Sequence, residues 1–336
     1  MSDYLQRAQI KRHLRLNNLS EIFDRYYRHI FRTEVSPLNQ WFMNTLPTTE
    51  EAQNILSKYI QENNEFLLIR FGLYEYLLCY QFLEKKNGLR KSYSQFIRQH
   101  IANDAGIIFN SDKHLDAYAE EVISGLKQVD VIAYWRNYPN PYVFKLFYDS
   151  NVSHINVEDL YPFPFWHKSF LPTWQKCLRN KKVLVVTSFS ETVARQYAKR
   201  ICLWKDADII LPSFDLMTYQ AVCTNGGFND ARFSCWDEAV TYMESEILNM
   251  CFDIVLVSCG GYGLPLSMRL KKRKKKVIQW GGCYQLWFGI LGGRWSDDIE
   301  ILKFKNRFWT YPSKMETPPL ANEVNESCYW NPKENL

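Results

Sequence analysis

Short runs that are apolar at nearly every position punctuate the chain, and stretches with apolar residues three or four apart separate them. The runs are FLLIRFG (Phe66–Gly72), VDVIAYW (Val129–Trp135), KKVLVVTSF (Lys181–Phe189), ADIILP (Ala207–Pro212), FDIVLVSCGG (252–261) and KKVIQWGG (275–282). Each predicts a buried strand. Helical spacing fills the gaps: Tyr74–Glu84, ETVARQYAKRICLW (191–204), CWDEAVTYMESEILNM (235–250) and LPLSMRLKKR (264–273). In the third of these, Trp236, Ala239, Val240, Met243 and Ile247 share one face. Residues 1–60 also read as helical. Leu16, Leu19, Ile22 and Phe23 recur at helical spacing, and PTTEEAQNILSKYI offers a capped start at Thr48 or Thr49 ahead of Glu50 and Glu51.

Strands without a polar face, alternating with helices, predict a parallel sheet covered on both sides. The expected fold is α/β, a Rossmann-like, doubly wound, mostly parallel sheet with an N-terminal helical extension. The chain divides into a helical segment at 1–60, a Rossmann-like domain at 61–300 and a polar, proline-rich tail at 301–336 that wraps or hangs loose.

Composition narrows the class. Apolar residues make up 46% and charged residues 23%, enough to bury a sizeable core. The N-terminus lacks an apolar signal region, and no stretch approaches the roughly 18 apolar residues of a membrane span. The expectation is a cytoplasmic protein, with peripheral contact at the inner face of the membrane left open. Nine scattered cysteines include no C-x-x-C pair, so they read as free, mostly buried thiols. The net charge of +5 is milder than dedicated nucleic-acid binding shows, so nucleic acid is not an expected partner. An anionic small substrate or an anionic membrane fits as well.

Ligands of open α/β sheets bind at the carboxyl ends of the strands. The segments there are Phe71-Gly72-Leu73-Tyr74-Glu75, Ser188-Phe189-Ser190-Glu191-Thr192, Ser258-Cys259-Gly260-Gly261-Tyr262-Gly263 and Gly281-Gly282-Cys283-Tyr284-Gln285. Three of the four are rich in glycine or serine and lead into helices, a pattern that leaves backbone amides open to phosphate. A glycine after a strand is more often only a tight turn, and neither G-x-G-x-x-G nor a Walker lysine motif is present. Ser190 reads as a helix N-cap and Ser188 as the phosphate candidate. Arg70 closes an apolar strand and needs a partner, either Glu75 or a diphosphate. The aromatic stretch Tyr161–Trp174 is a sugar-covering lid or a core-covering loop, and His167 within it is a candidate base. The basic run Lys271–Lys276 ends a helix, where cations are favourable without any ligand. It belongs at the edge opposite the ligand, as a solvated face or a contact for anionic lipid.

The segment DIVLVSCGGYGLPLSMRLKKRKKKVIQWGGCYQLWFGILGGRW (253–295) resembles the carboxyl-terminal signature of a family of bacterial polysaccharide-biosynthesis proteins similar to GT-D type glycosyltransferases. The signature is carried by Gly260, Tyr262, Gly263, Pro265, Leu266, Lys276, Ile278, Gly281, Gly282, Gln285, Phe288, Gly289, Ile290, Gly292, Gly293, Arg294 and Trp295. Upstream, LLIRFGLYEYLL, NDAGIIF and KKVLVVTSFSETVARQYAKR resemble further family segments in consistent order, so the likeness spans about residues 60–300.

The resemblance implies a GT-D-like fold and transfer of a sugar from a nucleotide-sugar donor to a glycan or lipid-linked acceptor in surface polysaccharide assembly. A catalytically inactive nucleotide-sugar-binding or scaffold protein of the same pathway is the alternative. The implied catalytic residues are Glu75 and Asp104. The implied donor contacts are Arg70, Gly72, Asn103, Ser188, Gly260, Tyr262, Gly263, Gly281, Gly282 and Gln285. The fold's better-known members carry Asp-x-Glu after the first strand and use a divalent metal, Mn or Mg. Here the triplet is Leu73-Tyr74-Glu75. Leucine offers no oxygen to a hard cation. Glu75 therefore works with another carboxylate, such as Asp104, or acts without metal as a general base or a hydrogen-bond acceptor.

Overall fold

The structure is a computed structural model that describes residues 7–16, 42–62, 65–135, 141–161, 173–226, 228, 230–325 and 327–332. The stripe from Leu19 to Phe23, and the aromatic stretch with His167 apart from its two ends, lie outside the described residues.

Seven strands form one sheet: β1 (Phe66–Arg70), β2 (Val131–Tyr134), β3 (Ser153–Asn156), β4 (Lys182–Thr187), β5 (Asp215–Gln220), β6 (Ile254–Ser258) and β7 (Lys276–Gln279). Their order is β3-β2-β1-β7-β6-β4-β5, and every pairing is parallel. The longer helices are α1 (Thr49–Glu62), α2 (Leu73–Lys86), α3 (Gln95–Asn103), α4 (Asp112–Gly125), α5 (Ser190–Tyr197), α6 (Trp236–Leu248) and α7 (Gly263–Lys272). Among the described residues no helix is long and apolar enough to cross a membrane.

The two-residue period of a strand explains the two cores. Leu67, Ile69, Leu184, Val186, Val255, Val257 and Val277 face the layer of α2, α4, α6 and α7. Phe66, Leu68, Val183, Val185, Ile254, Leu256 and Ile278 face the other layer, with α1, α5 and an aromatic cluster around Trp174, Trp280 and Trp287. Central strands are thus apolar at every position, as expected for a sheet covered twice. The predicted α6 face, from Trp236 to Ile247, is buried. Thr48 opens α1 through a reciprocal cap: its amide donates to Glu51 Oε2 at 2.8 Å, and the Glu51 amide donates to Thr48 Oγ1 at 3.4 Å.

The edges depart from expectation. Ala207–Ile210, in the segment expected as a strand, is a short helix whose Ala207 and Ile210 pack into the second core. The strand beside β4 comes later, as DLMTYQ in β5, in register Lys182↔Asp215. An edge strand is half exposed and keeps polar side chains, whereas a brief apolar run suits a buried helical turn equally well. The edge strand β3, SHIN, has only Ile155 buried and gives no apolar signal.

Asp159, in the turn after β3 and beside α1, is 3% exposed. Burial pushes its carboxyl up to about 6, against hydrogen bonds from Thr49 and the Asn156 backbone. A raised acid favours folding only while protonated, so this contribution is full below about pH 4 and is lost as pH rises through about 6. Asp159→Asn is expected to stabilise the fold by about 1–2 kcal/mol at pH 8. The gain should vanish near pH 4, as read from denaturant melts across that range. Equal melts of the two proteins at pH 8 would refute the assignment.

Candidate functional site

A pocket opens at the carboxyl edge of the sheet, where β1, β4, β5, β6 and β7 end. Its wall includes Arg70 from β1, Ser188 and Phe189 after β4, Val222 to Asn225 after β5, Ser258 to Gly260 and Tyr262 after β6, and Gly281, Gly282, Tyr284 and Gln285 after β7. Ala105, Gly106, Tyr329 and Trp330 complete it. Seven of the residues singled out from the sequence meet here: Arg70, Ser188, Gly260, Tyr262, Gly281, Gly282 and Gln285. The wall leaves out Gly72, Glu75, Asn103, Asp104 and Gly263.

Arg70 lies across the turn after β7. Its Nε donates to the Trp280 carbonyl at 3.0 Å, its backbone amide donates to Gln279 Oε1 at 2.9 Å, and its guanidinium stands 5.5 Å from the Trp135 ring. Gly281 makes this approach feasible: its φ is +73°, and a Cβ there would sit 1.9 Å from Arg70 Nε. Arg294, in the signature but not among the sequence's site candidates, places its guanidinium 5.1 Å from the Tyr329 ring. Burial pushes the Cys283 thiol up to about 12 and also raises Tyr329, while Arg70 and Arg294 pull both down, so both cations bear on this turn. Among the described residues neither arginine has a carboxylate within ion-pair distance. The wall carries no Asp or Glu. Gln285 Nε2 donates to the Tyr329 carbonyl at 3.0 Å, but its buried Oε1 has no hydrogen-bond partner. A buried acceptor left unmet is costly, and a ligand N–H or O–H would satisfy it.

The turn after β6 is held from behind. Gly260 has φ +57°, the Gly261 amide donates to the Ala105 carbonyl at 2.8 Å, and the Tyr118 hydroxyl donates to the Gly261 carbonyl. The Tyr262 and Thr224 hydroxyls pair at 2.6 Å, and Thr224 also donates to the Gly106 carbonyl. Burial pushes Cys223 up to about 11 and Cys259 to about 12, so both wall thiols stay protonated at neutral pH and are poor nucleophiles.

The helix after β4 does not offer its N-terminus to a ligand. Its N-cap is Phe189, not the expected Ser190, whose hydroxyl bonds Gln220 instead. Glu316, from the C-terminal segment, accepts from the Glu191 and Thr192 amides at 2.9 and 3.2 Å and from the Thr192 hydroxyl. A carboxylate of the chain itself fills this anion site.

Glu75 folds back against Gly72 in the first turn of α2 and is 8% exposed. Burial holds its carboxyl above the ordinary range, opposed by its own amide and by Arg70. Gly263 packs on Gln279 and Val257, and Asn103 is exposed at the end of α3. The Asp104 carboxylate bonds His100 Nδ1. His100 was not among the sequence candidates, although the spacing His-x-x-x-Asp at a helix end would have flagged it. A divalent cation requires several oxygen donors. Among the described residues no three His, Cys, Asp or Glu side chains converge, and Glu75 and Asp104 are turned to other partners. This donor set does not fit Mn or Mg.

The basic run does lie at the opposite edge. Lys271 pairs with Asp130 at 3.0 Å and with Glu65 at 3.7 Å, both just ahead of a strand. Arg273 pairs with Glu244, Lys275 stands over Phe252, and Lys276 donates to the Ile60 carbonyl. Most of its charge is therefore spent inside the fold.

The C-terminal segment lines the pocket. Tyr329 covers Gly282, whose added Cβ would meet the Tyr329 ring at 2.3 Å, and the Gly293 amide lies within bonding distance of the Ser327 and Trp330 carbonyls. The pocket is partly open to solvent and narrow, with about 50 Å³ of room for the centres of water-sized atoms, and Tyr329 and Trp330 form the part of its wall contributed by the C-terminal segment. Set against protein-family models, curated proteins and solved structures, the chain finds no match.

Proposed function

We propose that this chain is a glycosyltransferase that moves a sugar from a nucleotide-sugar donor to a glycan or glycolipid acceptor. The observation that carries the reading is charge without a counter-charge: Arg70 and Arg294 flank a carboxylate-free pocket at the carboxyl edge of the sheet. A diphosphate matches that charge, and guanidinium forks suit its oxygens. The Gly281–Gly282 turn leaves room for close approach, and Gln285 Oε1 awaits a donor group such as a base imide or a sugar hydroxyl. The resemblance of residues 253–295 to the GT-D-like family supports the same reading. In it, the arginines supply the charge stabilisation that a metal supplies elsewhere. Contact with anionic lipid around a lipid-linked acceptor would fall to the exposed Lys272 and Lys274.

Glu75 standing outside the wall and Tyr329 lying over Gly282 favour a second reading, a nucleotide-sugar-binding protein without turnover. Calorimetry with UDP, GDP and dTDP, followed by turnover of their sugar conjugates, separates the two. We expect micromolar binding of one nucleotide, unchanged by a chelator or by added manganese and weakened by salt. Binding that requires manganese would overturn the metal-free reading. The absence of binding by all three nucleotides would overturn the function.

A further inference from the structure

The geometry points to a second catalytic element beside the pocket: a His100–Asp104 dyad that takes the proton from the attacking acceptor hydroxyl. The inference rests on the glycosyl-transfer reading above and adds the residue that would activate the acceptor. Asp104 is the C-cap of α3, and its carboxylate, 7% exposed, is bonded to His100 Nδ1. That bond fixes the imidazole tautomer, with the proton on Nδ1 and the lone pair on Nε2. The His100 side chain is 28% exposed, and among the described residues Nε2 has no hydrogen-bond partner. An oriented, partly exposed imidazole whose second nitrogen is left without a partner is the arrangement a general base requires.

Its surroundings tie it to the pocket. Asp104 immediately precedes Ala105 and Gly106 of the wall. Tyr74 lies in the first turn of α2, four residues past Arg70, and its ring stacks on His100 at 4.5 Å and 8°. On its other neighbour, Phe96, the His100 ring rests at 4.2 Å, and Phe96 is 54% exposed. Asp104 and Cys328, the residue before Tyr329, lie close enough to Tyr74 to raise its hydroxyl's pKa, and Asp104 likewise raises the Cys328 thiol. Among the described residues, Tyr74 of α2 and Cys328 of the C-terminal segment are titratable groups that bear on Asp104, and Glu75 in turn bears on Tyr74. An exposed aromatic ledge next to a base suits a carbohydrate acceptor, whose apolar ring face stacks on an aromatic ring while a hydroxyl meets the base.

The step balances without a metal or redox partner. The acceptor O–H bond breaks and its proton passes to His100 Nε2. The acceptor oxygen bonds the donor's anomeric carbon, the bond from that carbon to the diphosphate oxygen breaks, and the nucleoside diphosphate leaves with the electron pair.

The test measures nucleotide release from UDP-glucose, UDP-N-acetylglucosamine, GDP-mannose and dTDP-glucose, with octyl glucoside as acceptor, alongside nucleotide binding by calorimetry. His100→Gln should lower kcat about 100-fold while nucleotide affinity stays within twofold of the wild type, which also shows that the variant is folded. His100→Ala should regain turnover when imidazole is added. Asp104→Asn should lower kcat about 10-fold at unchanged KM. His100→Gln turnover within threefold of the wild type would overturn the dyad and leave the donor site standing. Nucleotide binding without turnover by the wild type would overturn the dyad as well. A wild type that binds none of the nucleotides would instead sink the glycosyl-transfer reading beneath it.

Discussion

Gly281→Ala will abolish nucleoside diphosphate binding and cost the fold about 3 kcal/mol. Two effects add at this position. The backbone sits at φ +73°, where a Cβ costs roughly 1 kcal/mol. The new methyl would also fall 1.9 Å from Arg70 Nε and Nη2 and 2.1 Å from Cζ. Arg70 must then leave the Trp280 carbonyl, and a bond to a charged donor is worth about 2 kcal/mol. The guanidinium that should meet the diphosphate moves with it. Gly88 separates the two effects, because its φ is +72° and nothing lies within 4 Å of its added Cβ. Gly88→Ala should cost only about 1 kcal/mol and leave binding intact. Denaturant melts and calorimetry with UDP on both variants read the difference. Normal binding by Gly281→Ala would remove Arg70 from the site.

That contrast also shows what the sequence made legible. Strands β1, β4, β6 and β7 were readable because a strand buried on both faces needs apolar residues throughout. The carboxyl-edge rule then gathered Arg70, Ser188, Gly260, Gly281, Gly282 and Gln285 into one pocket, since topology fixes which loops meet. Edge strands β3 and β5 were illegible because half-exposed strands resemble loops in composition. Side-chain direction was harder still. Glu75 and Asp104 stand at the right edge, but local geometry turns one onto Gly72 and the other onto His100. The tail was the least legible part. Its polar composition left a wrapping and a loose end equally open, and the wrapping one fits the structure, where Glu316 bonds Thr192 across 124 residues of sequence.

Glu316→Ala is the second large effect expected, about 3 kcal/mol of stability together with release of the C-terminal segment. The carboxylate is 6% exposed and accepts from the Glu191 and Thr192 amides, the Thr192 hydroxyl, and the amide and hydroxyl of Ser313. Alanine leaves the buried Thr192 amide and hydroxyl without this acceptor and strips the half-buried Ser313 hydroxyl of its partner, while the Ser313 amide keeps Thr192 Oγ1 at 3.1 Å. The Glu316 carbonyl also accepts from Trp330 Nε1 at 2.9 Å, so loosening residue 316 loosens the segment that holds Tyr329 and Trp330 over the pocket. Hydrogen exchange at residues 327–332 should therefore accelerate, and UDP should associate faster. Glu316→Gln keeps one acceptor oxygen and should lose only about 1 kcal/mol. The emptied N-terminus of α5 then becomes an anion site, with two free amides and the positive end of a helix. Inorganic phosphate should raise the melting temperature of Glu316→Ala well beyond any effect on the wild type. If phosphate shifts both proteins equally, Glu316 is not the group that occupies this site, and the tail is held by its remaining contacts, among them the Gly293 amide on the Ser327 and Trp330 carbonyls and Gln285 on the Tyr329 carbonyl.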